Sequence, residues 1–343
     1  MSVRDLLMAV AAAPVNDPCL VAGHNLYMVS AYPWEDGAFG DKIVPSSQVT
    51  TAGSGVAFSP DGAFIAIARA SSPFVSVYPW DGTFGTPLSN PATLPGGAGK
   101  AVAFSPDGAY IAVAHTGSPY VSVYEWSSSG FGAKVDNPSS LPSFGGESVA
   151  FSPDGAYIAV GDSSAPSLNV YPWDGTFGTQ FTDPATPPGG TVYGVTFSPD
   201  GAFIAVAHTS SPYVNVYPWS SGGFGTKVDN PGTAVAGQGR AVAFSPDGAY
   251  IAVAHAVSPF VSVYPWSSGG FGTKVADPST GPAGTGAGVA FSPDGAYIAV
   301  VNEDPSSPYV YVVVYPWSGT FGAAITPATT LGGYGIAVAW RPQ

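Results

Sequence analysis

Six aspartates recur inside one four-residue phrase, Ser-Pro-Asp-Gly: Asp61, Asp107, Asp154, Asp200, Asp247 and Asp294. A ring of carboxylates could hold calcium, which takes oxygen ligands. Each aspartate also has a local use, because Asp bonds backbone within its own turn, and that use accounts for all six. Four histidines, His24, His115, His208 and His255, fall at one position of a longer repeated phrase, where other copies carry Arg69, Asp162 and Asn302. Zinc needs its ligands about 2.0–2.1 Å from one ion. Histidines on separate repeats stand at least two strand spacings of about 4.8 Å apart, so they cannot converge. They read as polar caps bonding the Ser-Pro loop that follows. No metal, cofactor or catalytic residue is assigned.

Near-identical repeats carry most information where they disagree. Four residues before the marker Phe or Trp that closes each repeat's first strand, the copies read Ser54, Lys100, Glu147, Tyr193, Arg240, Ala287 and Ile336. The connecting stretches "PATLPGGAGK", "PSSLPSFGGES", "PATPPGGTVY" and "PGTAVAGQGR" vary as well. Variable loops on a rigid scaffold are usual carriers of recognition, although drift at exposed positions gives the same pattern. The candidate binding rim is Lys100, Glu147, Tyr193 and Arg240, joined by Arg69 and Asp162.

The elements that must position these residues follow from the repeat. Phe58, Phe104, Phe151, Phe197, Phe244 and Phe291 stand 46 or 47 residues apart. A period in the forties that reads as strands is the blade of a β-propeller. In one copy, "AVAF" is a short strand and Ser105-Pro106-Asp107-Gly108 a turn. "AYIAVAH" and "YVSVYEW" alternate as second and third strands, and "FGAKV" is an outer strand. Tyr-Pro-Trp, or once Tyr-Glu-Trp, occurs seven times, at Trp34, Trp80, Trp126, Trp173, Trp219, Trp266 and Trp317. Its aromatics could stack on sugars, but seven equivalent copies read as blade-to-blade packing. The first copy lacks an inner strand, and "GIAVAWRPQ" at the end is an inner strand without a blade. The expectation is an all-β fold: a seven-bladed β-propeller of four antiparallel strands per blade, closed by pairing the C-terminal strand with the N-terminal ones. It spans residues 17–343, behind an N-terminal arm of residues 1–16.

Composition narrows the partners. Charged residues are only 9% of the chain, the net charge is −13, and nine Lys and Arg are spread thinly. No basic stripe exists to neutralise phosphates, so neither nucleic acid nor an anionic membrane surface is expected as a partner. The single cysteine, Cys19, excludes an intrachain disulfide. In "MSVRDLLMAVAAAP", Leu6, Leu7 and Val10 share one helical face and read as an anchor. The alternative is a signal-peptide core, weakened by Asp5 directly after Arg4.

The "VAFSPDG" phrase resembles the propeller repeats of the tryptophan-aspartate (WD) and related families, although the Gly-His and Trp-Asp dipeptides are missing. The "VAFSPDGAYIAVAH" repeats and the "MSVRDLLMA" opening are also similar to bacteriophage and prophage structural proteins. That resemblance implies a non-enzymatic virion protein of a tail, fibre or capsid decoration. Its arm would dock on other virion proteins, with the propeller displayed in multiple copies toward host glycan or protein. The inner strands read Val-Ala-Phe almost throughout, so the central channel is expected to be inert. A secreted propeller enzyme of lactonase or hydrolase type, or an intracellular WD-type scaffold, are the alternatives.

Overall fold

The computed structural model describes residues 18–24, 28–46, 51–303, 312–329 and 335–342. The 1–16 arm, with Leu6, Leu7 and Val10, lies outside the described residues. Seven antiparallel sheets follow one another around a ring, as the repeat predicts. In blade 2 the inner strand Gly99–Phe104 pairs with Tyr110–His115. That second strand pairs with Val121–Ser127, and the third with the outer strand Gly130–Lys134. The seventh sheet joins the two ends of the chain: Gly335–Trp340 pairs with Cys19–His24 in the register Leu20 with Trp340 and Ala22 with Val338.

An alternation of large and small residues, Ile-Ala-Val-Ala in blades 2, 4 and 5, lets the sheets stack. In blade 2, Ile111, Val113 and Tyr124 form the large face and pack against Ala66, Ala68 and Val77 of blade 1. Ala112 and Ala114 form the small face and meet Ile158, Val160 and Tyr171 of blade 3. The same large-on-small packing recurs between blades 4 and 5, whereas the junctions of blade 7 set Val21 against Ile65 and Ile67 and Val301 against Leu20 and Ala22. Both faces of the second strand are covered, which is why its residues are buried without a polar side.

The Tyr-Pro-Trp aromatics are packing devices, each Trp being almost fully buried. Trp126 meets Phe64 of the preceding blade at 5.4 Å, its own inner-strand Phe104 at 5.4 Å and its outer-strand Phe131 at 5.3 Å, all edge-to-face. The tyrosine beside it ties down the crossing loop: Tyr171 Oη donates to Ser140 O at 2.8 Å and Tyr217 Oη to Thr186 O at 2.8 Å.

The outer strands depart from expectation. Blades 1, 3 and 6 are three-stranded, with single bridges at Trp80–Phe84, Trp173–Phe177 and Trp317–Phe321. Blades 2, 4, 5 and 7 have one more residue between the Trp and the Phe, which permits a second pair such as Ser127 with Gly130 around a two-residue turn. Loop length selects the hairpin, and the shorter turn cannot close it.

Candidate functional site at the channel mouth

The seven variable residues turn out to have one structural identity. In blade 2, Gly99 pairs with His115 and Ala101 with Ala114, so the ladder skips Lys100. The same skip passes over Ser54, Glu147, Tyr193, Arg240, Ala287 and Ile336. Each is the extra residue of a β-bulge, released from pairing and re-aimed, as bulges beside active sites commonly do. All seven line one cavity of about 480 Å³ at the mouth of the central channel, with Glu303 and the inner-strand valines.

This corrects the expectation of an inert channel. The inner-strand pattern Val-Ala-Phe describes only the paired residues; the unpaired one carries the charged and polar side chains of blades 2 to 5. Lys100 Nζ stands 3.4 Å from Glu147 Oε2. The Arg240 guanidinium lies over the Tyr193 ring, 4.7 Å from its centroid. Burial raises the Glu147 carboxyl above the ordinary carboxylate range, while Lys100 and, more weakly, Arg240 pull it back down. Blades 2 to 5 therefore build a polar wall, and Ala287 and Ile336 an apolar one. A carboxylate of raised pKa beside an ammonium can accept a proton from water, and a guanidinium lining the same cavity can stabilise a developing oxyanion.

The other two rim candidates are placed elsewhere. Arg69 is buried and donates from Nη1 to Ser76 Oγ at 3.0 Å and from Nη2 to Thr51 Oγ1 at 3.4 Å. Asp162 is fully buried and accepts from Ser164 N at 2.9 Å, Asn169 Nδ2 at 3.0 Å and Ser143 N at 3.2 Å. Their repeat position lies opposite a glycine in the ladder, inside the blade, so their charge is used in holding loops. The histidines at that position are buried too. His115 and His255 pair through Nε2 with Ser122 and Ser262 of the third strand, at 3.0 Å each, and also interact with the backbone of the following loop at Gly117 and Val257. Among the described residues no group of three or more His, Cys, Asp or Glu is arranged to hold a metal. The Ser-Pro-Asp-Gly carboxylates serve their own turns: Asp107 Oδ1 accepts from Ser105 Oγ at 2.5 Å and from Ala109 N at 3.0 Å.

No protein-family model matches the chain, and no curated protein matches it. Solved structures do. The periplasmic gluconolactonase of Pseudomonas aeruginosa superposes with a TM-score of 0.72 at 20% identity, over 94% of this chain and 99% of that one. A candidate 6-phosphogluconolactonase of Bacteroides fragilis gives 0.70 at 17% identity, over 94% and 98%. A chain of the Mitotic Checkpoint Complex gives 0.63 at 16%, over 82% and 81%. At these identities the likeness establishes the seven-bladed propeller fold. The virion expectation is overturned as well: similar structures carry lactonase names, against tail, fibre, capsid and host-attachment roles. The exclusion of an enzyme falls with them, because its ground was a channel without polar residues.

Proposed function

We propose that this propeller is a lactonase-type hydrolase, opening a cyclic ester at the channel mouth. The observation that carries the reading is Glu147: a mostly buried carboxylate of raised pKa, 3.4 Å from Lys100, facing a cavity of about 480 Å³ shared with Arg240. The lactonase names of similar propellers support it. In this reading Glu147 takes a proton from water as its oxygen attacks the ring carbonyl carbon. Arg240 stabilises the oxyanion that forms. The ring C–O bond then breaks, the proton on Glu147 passes to the departing alkoxide, and an open-chain hydroxy acid leaves. Lys100 keeps Glu147 ionised for the first step.

The test is hydrolysis of two six-membered lactones, δ-valerolactone and glucono-δ-lactone, by the full chain. Saturable turnover is expected, falling by about 10²–10⁴ in Glu147→Gln, the usual worth of a general base. Turnover indifferent to that substitution overturns the assignment. The likeness to a periplasmic enzyme further favours a location outside the cytoplasm, with residues 6–13 as an export core. Sequencing the mature N-terminus checks this, with a start near Val15 expected.

A further inference from the structure

Among the described residues, five large apolar side chains stand exposed: Val44, Leu94, Leu141, Phe144 and Val257. Leu94, Leu141 and Phe144 belong to the crossing loops that lead into Lys100 and Glu147, and Phe144 is the most open, at 55%. Blades 4, 5 and 6 put Pro187, Ala234 and Gly281 where these loops have Leu94 and Leu141. Three of the five thus stand on the two loops that enter the ion-paired residues, while Val257 is exposed on the loop after His255 of blade 5.

Phe144 occupies a position that other blades give to glycine. A Cβ there would come within 2.7 Å of Gly117 N from Gly97, 2.3 Å of Thr209 Oγ1 from Gly190 and 2.5 Å of Val257 Cγ2 from Gly237. Blade 3 has rebuilt the loop to admit a side chain. Asp162, standing where other blades have histidine, accepts from Ser143 N just before Phe144 and from Ser164 N on the facing loop. Two backbone donors on that buried carboxylate thus fix the loop from which Phe144, more than half exposed, projects into solvent. Phe144 lies three positions before Glu147, which limits their Cα distance to about 11 Å.

We infer that Phe144, with Leu141, forms an apolar shelf that receives an alkyl or acyl arm of the ester whose carbonyl faces Glu147. The substrate class is then a lactone bearing an apolar substituent, in place of a wholly hydroxylated sugar lactone. This rests on the hydrolase reading above. It fits the division of labour at the mouth, with polar contacts from the bulges and an apolar contact from the adjoining loop.

The experiment compares δ-valerolactone with δ-decalactone, which has the same ring and a five-carbon arm. The wild-type chain is expected to favour δ-decalactone in kcat/KM by roughly tenfold or more, the scale of discrimination at an apolar contact. Phe144→Ser should collapse that ratio toward one, and Phe144→Leu should keep most of it. Equal kcat/KM for the two esters in the wild type, or a ratio unmoved by Phe144→Ser, overturns the shelf while leaving the hydrolase reading intact. Turnover of neither ester by the wild type overturns both. Self-association of the chain that Phe144→Ser abolishes, with no change in the ratio, reassigns the patch to contact between copies.

Discussion

Glu147 is held between opposing influences, and its position in that balance sets the pH dependence of the proposed reaction. Burial raises its pKa; Lys100 lowers it through charge and a hydrogen bond, and Arg240 lowers it further. A base must be deprotonated, so kcat/KM should fall as pH drops through a value above the ordinary carboxylate range. Lys100→Met removes the largest lowering influence, and the acid limb should move to higher pH. A limb that stays in place dissociates Lys100 from Glu147. The histidines work on stability instead. Burial depresses His24, His115 and His255 from 6.5 to about 4. As pH falls from 6.5 toward 4, the unfolded chain takes up protons that the folded chain refuses, so stability is full above 6.5 and lost through that window. The thermal midpoint should decline over this range. The decline should be shallower in a His115→Asn/His255→Asn variant, Asn being the residue of blade 6 at Asn302. An unchanged slope places the acid sensitivity elsewhere.

At the scale of the strand, the blades are interchangeable only where their contacts agree. Gly146 opens the inner strand of blade 3 because a Cβ there would meet Tyr120 O at 2.3 Å. Blade 4 has Val192 at the equivalent position, and the facing strand of blade 3 compensates with Gly161 where its neighbours have alanine. A Cβ on Gly161 would stand 2.5 Å from Val192 Cγ1. Gly161→Ala alone should therefore cost about 1–3 kcal/mol by overpacking. Adding Val192→Gly should recover part of that loss, restoring the pairing that Ala114 and Gly146 use in the preceding junction. Denaturant melts of the four members of this cycle measure the coupling; additive losses would refute it.

The whole molecule is a ring whose seven apolar clusters each join two neighbouring blades. Its closure depends on the strand Gly335–Trp340, and Arg341 adds a latch by donating from Nε to Gly62 O of blade 1 at 3.1 Å. Deleting residues 335–343 leaves Leu20, Val21 and Ala22 with an unpaired edge and opens two interfaces at once. Calorimetry should then show a broad, multi-step transition at lower temperature. A variant that melts like the full chain would mean that the ring does not unfold as a unit.

The amino-acid sequence determined the architecture by itself. The 46- to 47-residue spacing of Phe58 to Phe291, the seven Tyr-Pro-Trp or Tyr-Glu-Trp markers and the half-repeats at the two ends specify seven blades and their closure, because periodicity and turn chemistry are local properties. The same letters located the positions where the blades differ. They could not say which of those positions share a space. Lys100 and Arg69 look alike as charged residues at strand ends, yet one belongs to a bulge that opens on the channel and the other to a ladder pair buried within a blade. A bulge is a slip in pairing between two strands, and convergence on an axis is a relation among seven blades. Neither is written in any one repeat, so only the folded ring brings Lys100, Glu147, Tyr193 and Arg240 to one cavity.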